Sequence, residues 1–456
     1  MVDLLENVNR FVWGIPALVL IIGIGVYLTV RSGFAQFTCF GKALRLFFRR
    51  FTGKEESQQG ESVSSYQALC TALAATVGTG NMVGVAGAIA IGGPGAVFWM
   101  WVCGALGMMI KFAEAALAVR YRQRNEKGEW VGGPMYMIKN GIGNSYAWLG
   151  YLYCFFAVVA AFGVGNATQI NSVIGGVHSA VRAFGVDTSK IADLAIGIFL
   201  SILLTYMLLG GAKRIGQVAE RLIPFASACY ILLCIGVLLM RFELLPTAFS
   251  DIVTGAFAPH AVTGGVIGSA FVALRVGASR GVFTNEAGMG TASIAHSCAH
   301  VSHPVEQGYM GIIEVFLDTI VICTLTAFVI LCSGVSIPFG LDEGVTLTTN
   351  AFSSVYGSWV CVPIALFLCC FAFATVLGWG LYGARCAEYL FGEKAWKPFV
   401  FLQAIVIIVS TVIKTETVWM MAETVNGLMA VPNLLALAFL SPELFRLIQE
   451  YRKHAV

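Results

Sequence analysis

The chain has 456 residues, of which 58% are apolar and only 12% are charged, against roughly 25% charged in an average soluble domain. Its mean hydropathy of +0.80 agrees with this composition, because so few charged side chains do not cover the water-facing surface of a soluble protein of this size. A soluble fold is therefore excluded, and the chain is expected to face lipid. The formal net charge of +3 is too small to indicate a nucleic-acid partner.

The cysteines and the N-terminal segment both fit an unprocessed membrane protein. The thirteen cysteines lie mostly within apolar runs and form no C-x-x-C pair, so we expect them to be small buried hydrophobic residues. Asp3 and Glu6 precede the first apolar run, and no small-residue cleavage site follows that run. The first run is therefore predicted to be a retained membrane span.

Apolar segments long enough to cross a bilayer recur along the chain. A helix that crosses the hydrocarbon core needs about 20 mainly apolar residues. Eleven segments meet this criterion, at approximately 11–30, 66–91, 96–119, 146–181, 191–210, 216–240, 263–288, 305–332, 358–384, 397–413 and 417–440. The sequence therefore predicts an all-α polytopic membrane protein with about eleven transmembrane helices.

Lys and Arg residues are distributed unequally between alternate loops. Twenty of the 28 lie on one side, within residues 31–54, 120–139, 213–221, 385–397 and 446–453. Five lie on the other side, at Arg10, Arg182, Lys190, Arg241 and Lys414. Because basic residues collect on the cytoplasmic side, we expect a cell inner-membrane protein with its N-terminus outside and its C-terminus in the cytoplasm. The basic segment from Lys42 to Lys54 is expected to lie as an amphipathic helix on the inner leaflet.

Eleven spans with this orientation divide into one N-terminal helix and two groups of five with opposite topology, which is the arrangement of an inverted repeat. The predicted parts are the first helix with its basic loop (1–65), the first repeat (66–240), the second repeat (241–440) and a cytoplasmic tail (441–456). The second and seventh spans occupy the same place in the two repeats, and they are the spans richest in mid-helix glycine and polar residues.

The second span contains Val77-Gly78-Thr79-Gly80-Asn81 at bilayer depth. Two glycines around a threonine weaken a helix and leave backbone N–H and C=O groups without intrahelical partners. The N–H groups that start a half-helix suit a carboxylate, whereas the carbonyls that end the preceding half-helix suit a small hard cation or an ammonium group. The sequence therefore predicts a broken helix that binds a zwitterion together with a cation.

The seventh span is predicted to be broken as well, because Gly277 and Gly281 bracket the polar residues Ser279 and Arg280. Charged residues within spans are expensive in lipid and are often functional. They are Arg275, Arg280 and Glu286 and, on other spans, Glu114, Glu314 and Asp318. An ion-pair lock between helices explains these residues as well as a functional role does, so both interpretations remain open.

Four longer stretches are distinctive. They are Gly78 to Trp101 (with Thr79-Gly80-Asn81, Gly84-Val85-Ala86, Gly92-Gly93-Pro94-Gly95 and Trp99-Met100-Trp101), Gly133-Pro134-Met135-Tyr136, Asn285-Glu286-Ala287-Gly288-Met289-Gly290, and Phe373-Ala374-Thr375 followed by Trp379. Together they resemble the signatures of the alanine/glycine:cation symporter family, and the resemblance extends over the whole chain. It implies a leucine-transporter-like fold preceded by one extra helix, and the import of small neutral amino acids with sodium.

The resemblance also implies roles for individual residues. The substrate carboxylate is expected at the amides of Gly78, Thr79 and Gly80, and the ammonium group at the carbonyl of Thr76. The sodium ion is expected at Ala74, Val77, Ala372 and Thr375, with Asn81 as a candidate for a second ion site.

Trp379 lies four residues after Thr375, so a helix places both on one face. An indole beside the ion site would shorten the pocket, and overfilling a packed site costs about 1–3 kcal/mol, so alanine and glycine should be preferred to leucine or phenylalanine. A packing or lipid-facing role is the alternative for Trp379. Gln169 is expected to line the pocket, although interhelical hydrogen bonding also explains such a residue. The substrate site is expected to be completed by Asn81, Gly277, Ser279 and Thr375.

These observations predict a sodium-coupled secondary active transporter that imports small neutral amino acids, such as alanine and glycine, by alternating access. We expect a monomer in the lipid bilayer, with no cofactor beyond the co-transported sodium ion. An enzyme is not expected, because no nucleophile, base and orienting residue occur together in the spans. One alternative is proton coupling through Glu114, Glu314 or Asp318, and another is a channel or sensor without uphill transport.

Overall fold

The structure is a computed structural model that describes residues 9, 12, 15–53, 63–341, 344–412 and 415–454. Helices dominate these residues. The helices of the first half are α1 (Ile15–Arg31), α2 (Ala35–Thr38), α3 (Phe40–Phe51), α4 (Ser65–Thr76), α5 (Val85–Gly92), α6 (Gly95–Tyr121), α7 (Pro134–Met137), α8 (Ala147–Phe162), α9 (Thr168–Arg182), α10 (Lys190–Leu208) and α11 (Gly211–Met240). Those of the second half are α12 (Leu245–Phe257), α13 (Pro259–Thr263), α14 (Ala270–Asn285), α15 (Thr291–Ser297), α16 (Pro304–Val315), α17 (Thr324–Cys332), α18 (Gly344–Tyr356), α19 (Cys361–Phe391), α20 (Trp396–Val409) and α21 (Thr415–His454).

Short elements of other types interrupt or join these helices. π-Helical turns lie at Gly80–Gly84, Ile138–Ile142, Gly163–Ala167 and Phe316–Cys323, and 3₁₀ turns at Asn144–Tyr146, Phe242–Leu244, Ser358–Val360 and Glu393–Ala395. The strands are β1 (Val63–Ser64), β2 (Gln123–Arg124), β3 (Trp130–Val131) and β4 (Ala299–His300). β1 pairs in parallel with β4, and β2 pairs antiparallel with β3. The β1–β4 pair therefore joins the residues just before α4 to those just after α15.

Each of the eleven predicted spans overlaps a helix or a run of consecutive helices within the described residues. Among the described residues, seven helical stretches are long and apolar enough to cross a membrane, and the bent pair formed by α4 and Gly80–Gly92 raises the number to eight. The other three predicted spans correspond to the shorter helices α1, α14 and α20, of 17, 16 and 14 residues. A multi-pass membrane protein is thus supported, whereas the count of eleven stays a prediction.

Helix α6 lies at the centre of the molecule. Its most apolar stretch is 83% buried, against 22% for α10 and 28% for α11. α6 packs against α14 and α16. α10 and α11 instead present large apolar side chains on the outside, among them Phe199, Ile202, Leu232 and Leu239. An exposed apolar surface of this kind is the lipid-facing side of a membrane protein. All thirteen cysteines are free, and ten of them are buried.

The prediction of a break at Gly277 and Gly281 is wrong, because α14 runs without interruption from Ala270 to Asn285. A Cβ atom at position 277 would overlap the carbonyl oxygen of Ala96 and would lie 2.8 Å from the Cβ of Trp99. Gly277 therefore permits the close approach of α14 to α6, which is a common use of glycine between membrane helices. The glycine pattern marked a packing surface that sequence alone did not distinguish from a hinge.

The seventh span is broken further along the chain. α14 ends at Asn285, and α15 begins at Thr291. Three residues between them have positive φ, namely Glu286 (54°), Gly288 (93°) and Gly290 (78°). Left-handed residues end an α-helix, so the interruption occurs within the stretch from Asn285 to Gly290.

The predicted basic amphipathic segment forms α3. Ala43 is buried against the protein, whereas Phe48 and Phe51 are more than half exposed. Arg50 pairs with Glu306 of α16, with 3.1 Å between Nη2 and Oε2. These contacts attach one face of α3 to the protein and leave apolar rings on another. Of the charges used for the topology prediction, Arg10, Lys54 and Lys414 lie outside the described residues.

The packing role of Gly277 is tested by Gly277→Ala. The added methyl group should overfill the contact between α14 and α6 and destabilise the protein by about 1–3 kcal/mol. The measurement is the midpoint of thermal unfolding in detergent. The matched control is Gly23→Ala in α1, where a Cβ atom meets nothing within 4 Å and alanine favours the helix by about 1 kcal/mol. Equal midpoints for the two variants would contradict the packing role.

Candidate functional site

The second span is broken at Val77 and Gly78. α4 begins with a capping box between Ser64 and Gln67 and ends at Thr76, after which Val77 has an extended backbone (φ −73°, ψ 93°). Helical structure resumes at Thr79, and the two halves of the span differ in direction by 49°. The predicted interruption is confirmed. The carbonyl end of one half-helix therefore adjoins the amide start of the next.

Asn81 holds this break together. Its Oδ1 accepts a hydrogen bond from the amide of Gly78 at 2.8 Å. Its Nδ2 donates to the side chain of Asp318 at 2.7 Å and to the carbonyl of Asp318 at 3.2 Å. Asn81 thus connects the break to the π-helical turn at Phe316–Cys323. The amide of Gly78, which was predicted to bind the substrate, is already bonded within the protein, so Thr79 and Gly80 supply the first amides of the new half-helix.

A cavity adjoins the break and gathers residues from four parts of the chain. It is lined by Ala75, Thr76, Gly78, Thr79, Gly80, Val164, Gln169, Phe283, Glu286, Thr375 and Trp379. Seven of these residues are predicted substrate-site residues: Thr76, Gly78, Thr79, Gly80, Gln169, Thr375 and Trp379. The cavity therefore lies between the two broken spans, the fourth span and α19.

Polar contacts connect the cavity wall to the break. The hydroxyl of Thr79 donates to Oε1 of Gln169 at 3.0 Å, and Nε2 of Gln169 donates to the carbonyl of Val164 at 3.1 Å. On the other side, a Cβ atom at Gly78 would lie 2.6 Å from Oγ1 of Thr375. Only a glycine therefore lets this hydroxyl lie directly against the backbone of the break.

The indole of Trp379 forms one wall of the cavity and is completely buried. One side of the residue packs against Gly165, where an added Cβ atom would lie 2.9 Å from its Cγ. Tyr382 approaches edge-on, with 6.0 Å between ring centroids. The indole nitrogen donates to Oε1 of Glu286 at 2.8 Å. The alternative of a lipid-facing Trp379 is excluded by this burial.

Three predicted substrate-site residues do not line the cavity. Asn81 faces Asp318, as described above, and Gly277 packs against α6. Ser279 is half-buried on α14, one turn before the residues of that helix that reach the cavity. Because α14 is unbroken here, position 279 is simply too early in the helix. Of the predicted sodium ligands, Ala74, Val77 and Ala372 are buried, and Thr375 also lines the cavity.

Four residues that line the cavity are not among the predicted site residues, namely Ala75, Val164, Phe283 and Glu286. Glu286 carried a usable signal, since it is a charge within a span and belongs to a distinctive stretch. Its carboxylate accepts hydrogen bonds from Trp379 and Thr291. The three apolar residues carried no signal, because nothing in the sequence marks which apolar side chains of a membrane helix face a cavity.

A chain of polar side chains crosses the protein interior. Lys111 Nζ on α6 lies 3.0 Å from Oε1 of Glu314, and His296 Nε2 lies 2.8 Å from Oε2 of the same carboxylate. The Nδ1 of His296 lies 2.7 Å from the side-chain Nε2 of Gln307. The Oε1 of Gln307 accepts a hydrogen bond from the hydroxyl of Ser65 at 2.7 Å. All five side chains are buried. These contacts tie α4, α6, α15 and α16 together. They include the buried ion pair of Lys111 with Glu314, so the ion-pair interpretation holds for Glu314.

Glu114 stabilises the second break. Its Oε1 accepts from the amides of Gly288 at 2.9 Å and Gly290 at 3.0 Å, and from Nδ2 of Asn433 at 2.7 Å. Within the described part of the chain, the three carboxylates considered as proton carriers, Glu114, Glu314 and Asp318, are each bonded to other groups of the protein and are absent from the cavity wall.

Two interrupted helices lie around a small polar cavity within a bundle of apolar helices, and this arrangement has the leucine-transporter fold. The solved structure of MhsT in complex with L-phenylalanine has this fold and superposes with a TM-score of 0.61 at 14% sequence identity, covering 86% of this chain and 99% of that one. The profile of the Sodium:alanine symporter family matches residues 1–456, and the chain belongs to that family.

Relatives of known description agree with this assignment. The chain is 41% identical to the sodium/alanine symporter AgcS of Methanococcus maripaludis, over 96% of this chain and 95% of the relative. It is 36% identical to the amino-acid carrier protein AlsT of Bacillus subtilis, over 99% of this chain and 92% of the relative. The family and these relatives are transporters rather than enzymes. As a member of this family, the chain is an amino-acid symporter.

The role of Asn81 as a clamp is tested by Asn81→Ala. The substitution leaves the amide of Gly78 without a partner and removes one of the two donors to the carboxylate of Asp318, which keeps its bond from Thr319. Each hydrogen bond lost in the protein interior costs about 1–3 kcal/mol. We expect a lower thermal unfolding midpoint and about tenfold weaker substrate binding, measured as the substrate-induced shift of that midpoint. Asn171→Ala is the matched control, because Asn171 is a half-buried amide on α9 outside the cavity wall. A variant as stable and as responsive as this control would contradict the clamp.

Proposed function

We propose that the protein is a sodium-coupled secondary active transporter that imports small neutral amino acids, alanine and glycine above all, by alternating access. The observation that carries the proposal is the break at Val77 and Gly78, whose backbone groups adjoin a cavity that also contains Thr375 and Trp379. A backbone interruption survives within a bilayer only where other groups satisfy it. A bound zwitterion and a cation together supply such groups to both ends of the break.

In the proposed complex, the substrate carboxylate lies at the amides of Thr79 and Gly80. These amides begin a half-helix, where a negative group is favoured by unpaired N–H groups and by the helix dipole. The ammonium group lies at the carbonyl of Thr76, which ends the preceding half-helix. Gln169 lines the cavity and orients Thr79 through the hydrogen bond between their side chains. The amide of Gly78 does not bind the substrate in this proposal, because it already donates its hydrogen bond to Asn81. Gly78 instead allows Thr375 to lie close to the break.

The proposed sodium site consists of the carbonyls of Ala74, Val77 and Ala372 with the hydroxyl of Thr375. The hydroxyl hydrogen of Thr375 is donated to the carbonyl of Phe371 at 2.9 Å. Oγ1 of Thr375 lies close to Gly78 in the break. Because its hydrogen is donated to Phe371, this oxygen has only lone pairs to offer to the break, as a hard cation requires. Asn81 organises the break in this proposal instead of binding a second ion.

The proposed topology is one N-terminal helix followed by two inverted repeats of five spans, with boundaries near residues 65, 240 and 440. The support is that every predicted span overlaps helical structure within the described residues and that the two interrupted spans are the second and the seventh. In this proposal the protein is a monomer in the cell inner membrane, with the N-terminus outside and the C-terminus in the cytoplasm.

The binding of sodium and the binding of substrate are coupled in this proposal because both ligands bind at the same helix break. Sodium bound between α4 and α19 would order the break, so that the substrate meets a formed site and each ligand raises the affinity for the other. Each positive charge carried inward gains about 2.3 kcal/mol per 100 mV of membrane potential. A gradient of sodium and charge would therefore drive accumulation of the amino acid.

The test is uptake of labelled amino acids into proteoliposomes after a jump in external sodium. Accumulation of alanine or glycine above the external concentration, dependent on sodium, supports the proposal. Uptake that persists without sodium and follows a pH gradient would instead support proton coupling, for which the buried chain of Lys111, Glu314 and His296 is the relevant observation. Uptake that only equilibrates would indicate a channel.

The sodium site is tested by Thr375→Val, which keeps the shape of the side chain and removes its oxygen. We expect the sodium concentration for half-maximal uptake to rise about tenfold, equivalent to ~1.4 kcal/mol, with folding retained. The matched control is Thr349→Val on α18, since Thr349 also donates its hydroxyl within its own helix but lies outside the cavity wall. Sodium dependence equal to that of the control would remove Thr375 from the site.

The size limit of the cavity is tested by Trp379→Leu. Replacing the indole enlarges the cavity and relieves an overfilling penalty of about 1–3 kcal/mol for longer substrate side chains. Valine and leucine should then inhibit alanine uptake about tenfold more strongly than in the wild type. Trp359→Leu is the control, because Trp359 is 57% exposed. An unaltered inhibition profile would exclude Trp379 as the limiting wall.

A further inference from the structure

Glu286 has an unusual backbone conformation for its residue type. Among the described residues, it and Phe34 are the non-glycine residues with positive φ. Glu286 ends α14 in the left-handed conformation, which is strained for a residue with a Cβ atom and is adopted most easily by glycine. Gly288 and Gly290 occupy the other left-handed positions of the same break. A glutamate kept where a glycine is less strained indicates that its side chain has a function.

The carboxylate of Glu286 joins the second break to the wall of the cavity. Its Oε1 accepts the indole N–H of Trp379 on α19 at 2.8 Å, and its Oε2 accepts the hydroxyl of Thr291 at 2.5 Å. The residue is 2% exposed. Thr291 is the first residue of α15 and is also buried. The carboxylate is therefore held at both oxygens, and it holds the indole in turn.

The indole has little freedom in this arrangement. Gly165 lies against one side of Trp379, and the ring of Tyr382 packs against the indole in a T-shaped arrangement. Its N–H group is buried, so its most direct partner is the carboxylate of Glu286. Without that acceptor, a buried donor is left unsatisfied, and the present orientation of the ring loses its advantage over others. The position of the cavity wall thus depends on a residue outside α19.

We infer that Glu286 determines substrate size by positioning Trp379. By accepting the indole N–H it fixes the ring where the ring limits the length of the substrate side chain. Glu286 acts through Trp379 rather than on the substrate. The inference rests on the proposed function, in which Trp379 closes the cavity around a small amino acid.

The experiment compares Glu286→Ala, Glu286→Gln and Thr291→Val in proteoliposomes. The readout is the ratio of the leucine and alanine concentrations that half-inhibit uptake of labelled alanine. Glu286→Ala should lower this ratio about tenfold. Glu286→Gln keeps an oxygen that accepts the indole N–H, so the ratio should fall less in this variant than in Glu286→Ala. Thr291→Val releases only one carboxylate oxygen and should lower the ratio by a smaller factor. Glu450→Ala, on the exposed end of α21, is the control.

An unchanged ratio in Glu286→Ala overturns the inference. Equal loss of affinity for alanine and leucine in Glu286→Gln also overturns it, because the charge would then act on the substrate itself. Size-exclusion chromatography identifies a variant that fails to fold, and in that case Thr291→Val alone decides the outcome.

Failure of the proposed function is distinguishable from failure of this inference. A wild-type protein that accumulates no amino acid contradicts the proposed function. The orientation of the indole is still measurable by fluorine NMR of protein labelled with fluorotryptophan, in which Trp379→Phe identifies the resonance of residue 379. Glu286→Ala and Thr291→Val should both shift this resonance. An unshifted resonance in both variants overturns the inference whatever the protein transports.

Discussion

Within a bilayer, backbone N–H and C=O groups need hydrogen-bond partners from the protein or a ligand, because no water is available to bond to them. At Val77 and Gly78 this requirement shapes the site. Asn81 satisfies the amide of Gly78 and is itself held by Asp318. The first amides of the new half-helix and the last carbonyls of the old one adjoin a cavity. The break is thus supported on one side by the protein, and on the other side it offers groups that a ligand can satisfy.

The second interruption follows the same principle with different residues. The carboxylate of Glu114 accepts the amides of Gly288 and Gly290. β1 pairs with β4, so the entry to the first broken span and the exit of the second are joined by backbone hydrogen bonds. Lys111, Glu314 and their partners connect the same helices through side chains. The two broken spans are therefore linked at several points.

Close packing gives the cavity its dimensions. Gly78 lets Thr375 approach the break, Gly165 makes room for Trp379, and Gly277 brings α14 onto α6. Each of these glycines sits where a Cβ atom would collide with a neighbour. In a protein whose helices share an apolar environment with lipid, such close contacts and buried hydrogen bonds supply the specificity of packing that hydrophobic burial alone does not.

The sequence by itself determined that the chain is a polytopic helical membrane protein, where its apolar segments lie, and that the helix breaks at Val77-Gly78-Thr79-Gly80, because composition, segment length and glycine placement are local properties. Its resemblance to a family, together with the spacing of Trp379 from Thr375 and the polar character of Gln169, also identified seven of the residues that line the cavity. The tertiary structure alone decided that Gly277 is a packing residue, that Asn81 faces Asp318, and that Glu286 holds Trp379. Those roles depend on which helices pack together. A contact between residues distant in sequence produces no periodic pattern in the sequence from which it could be predicted.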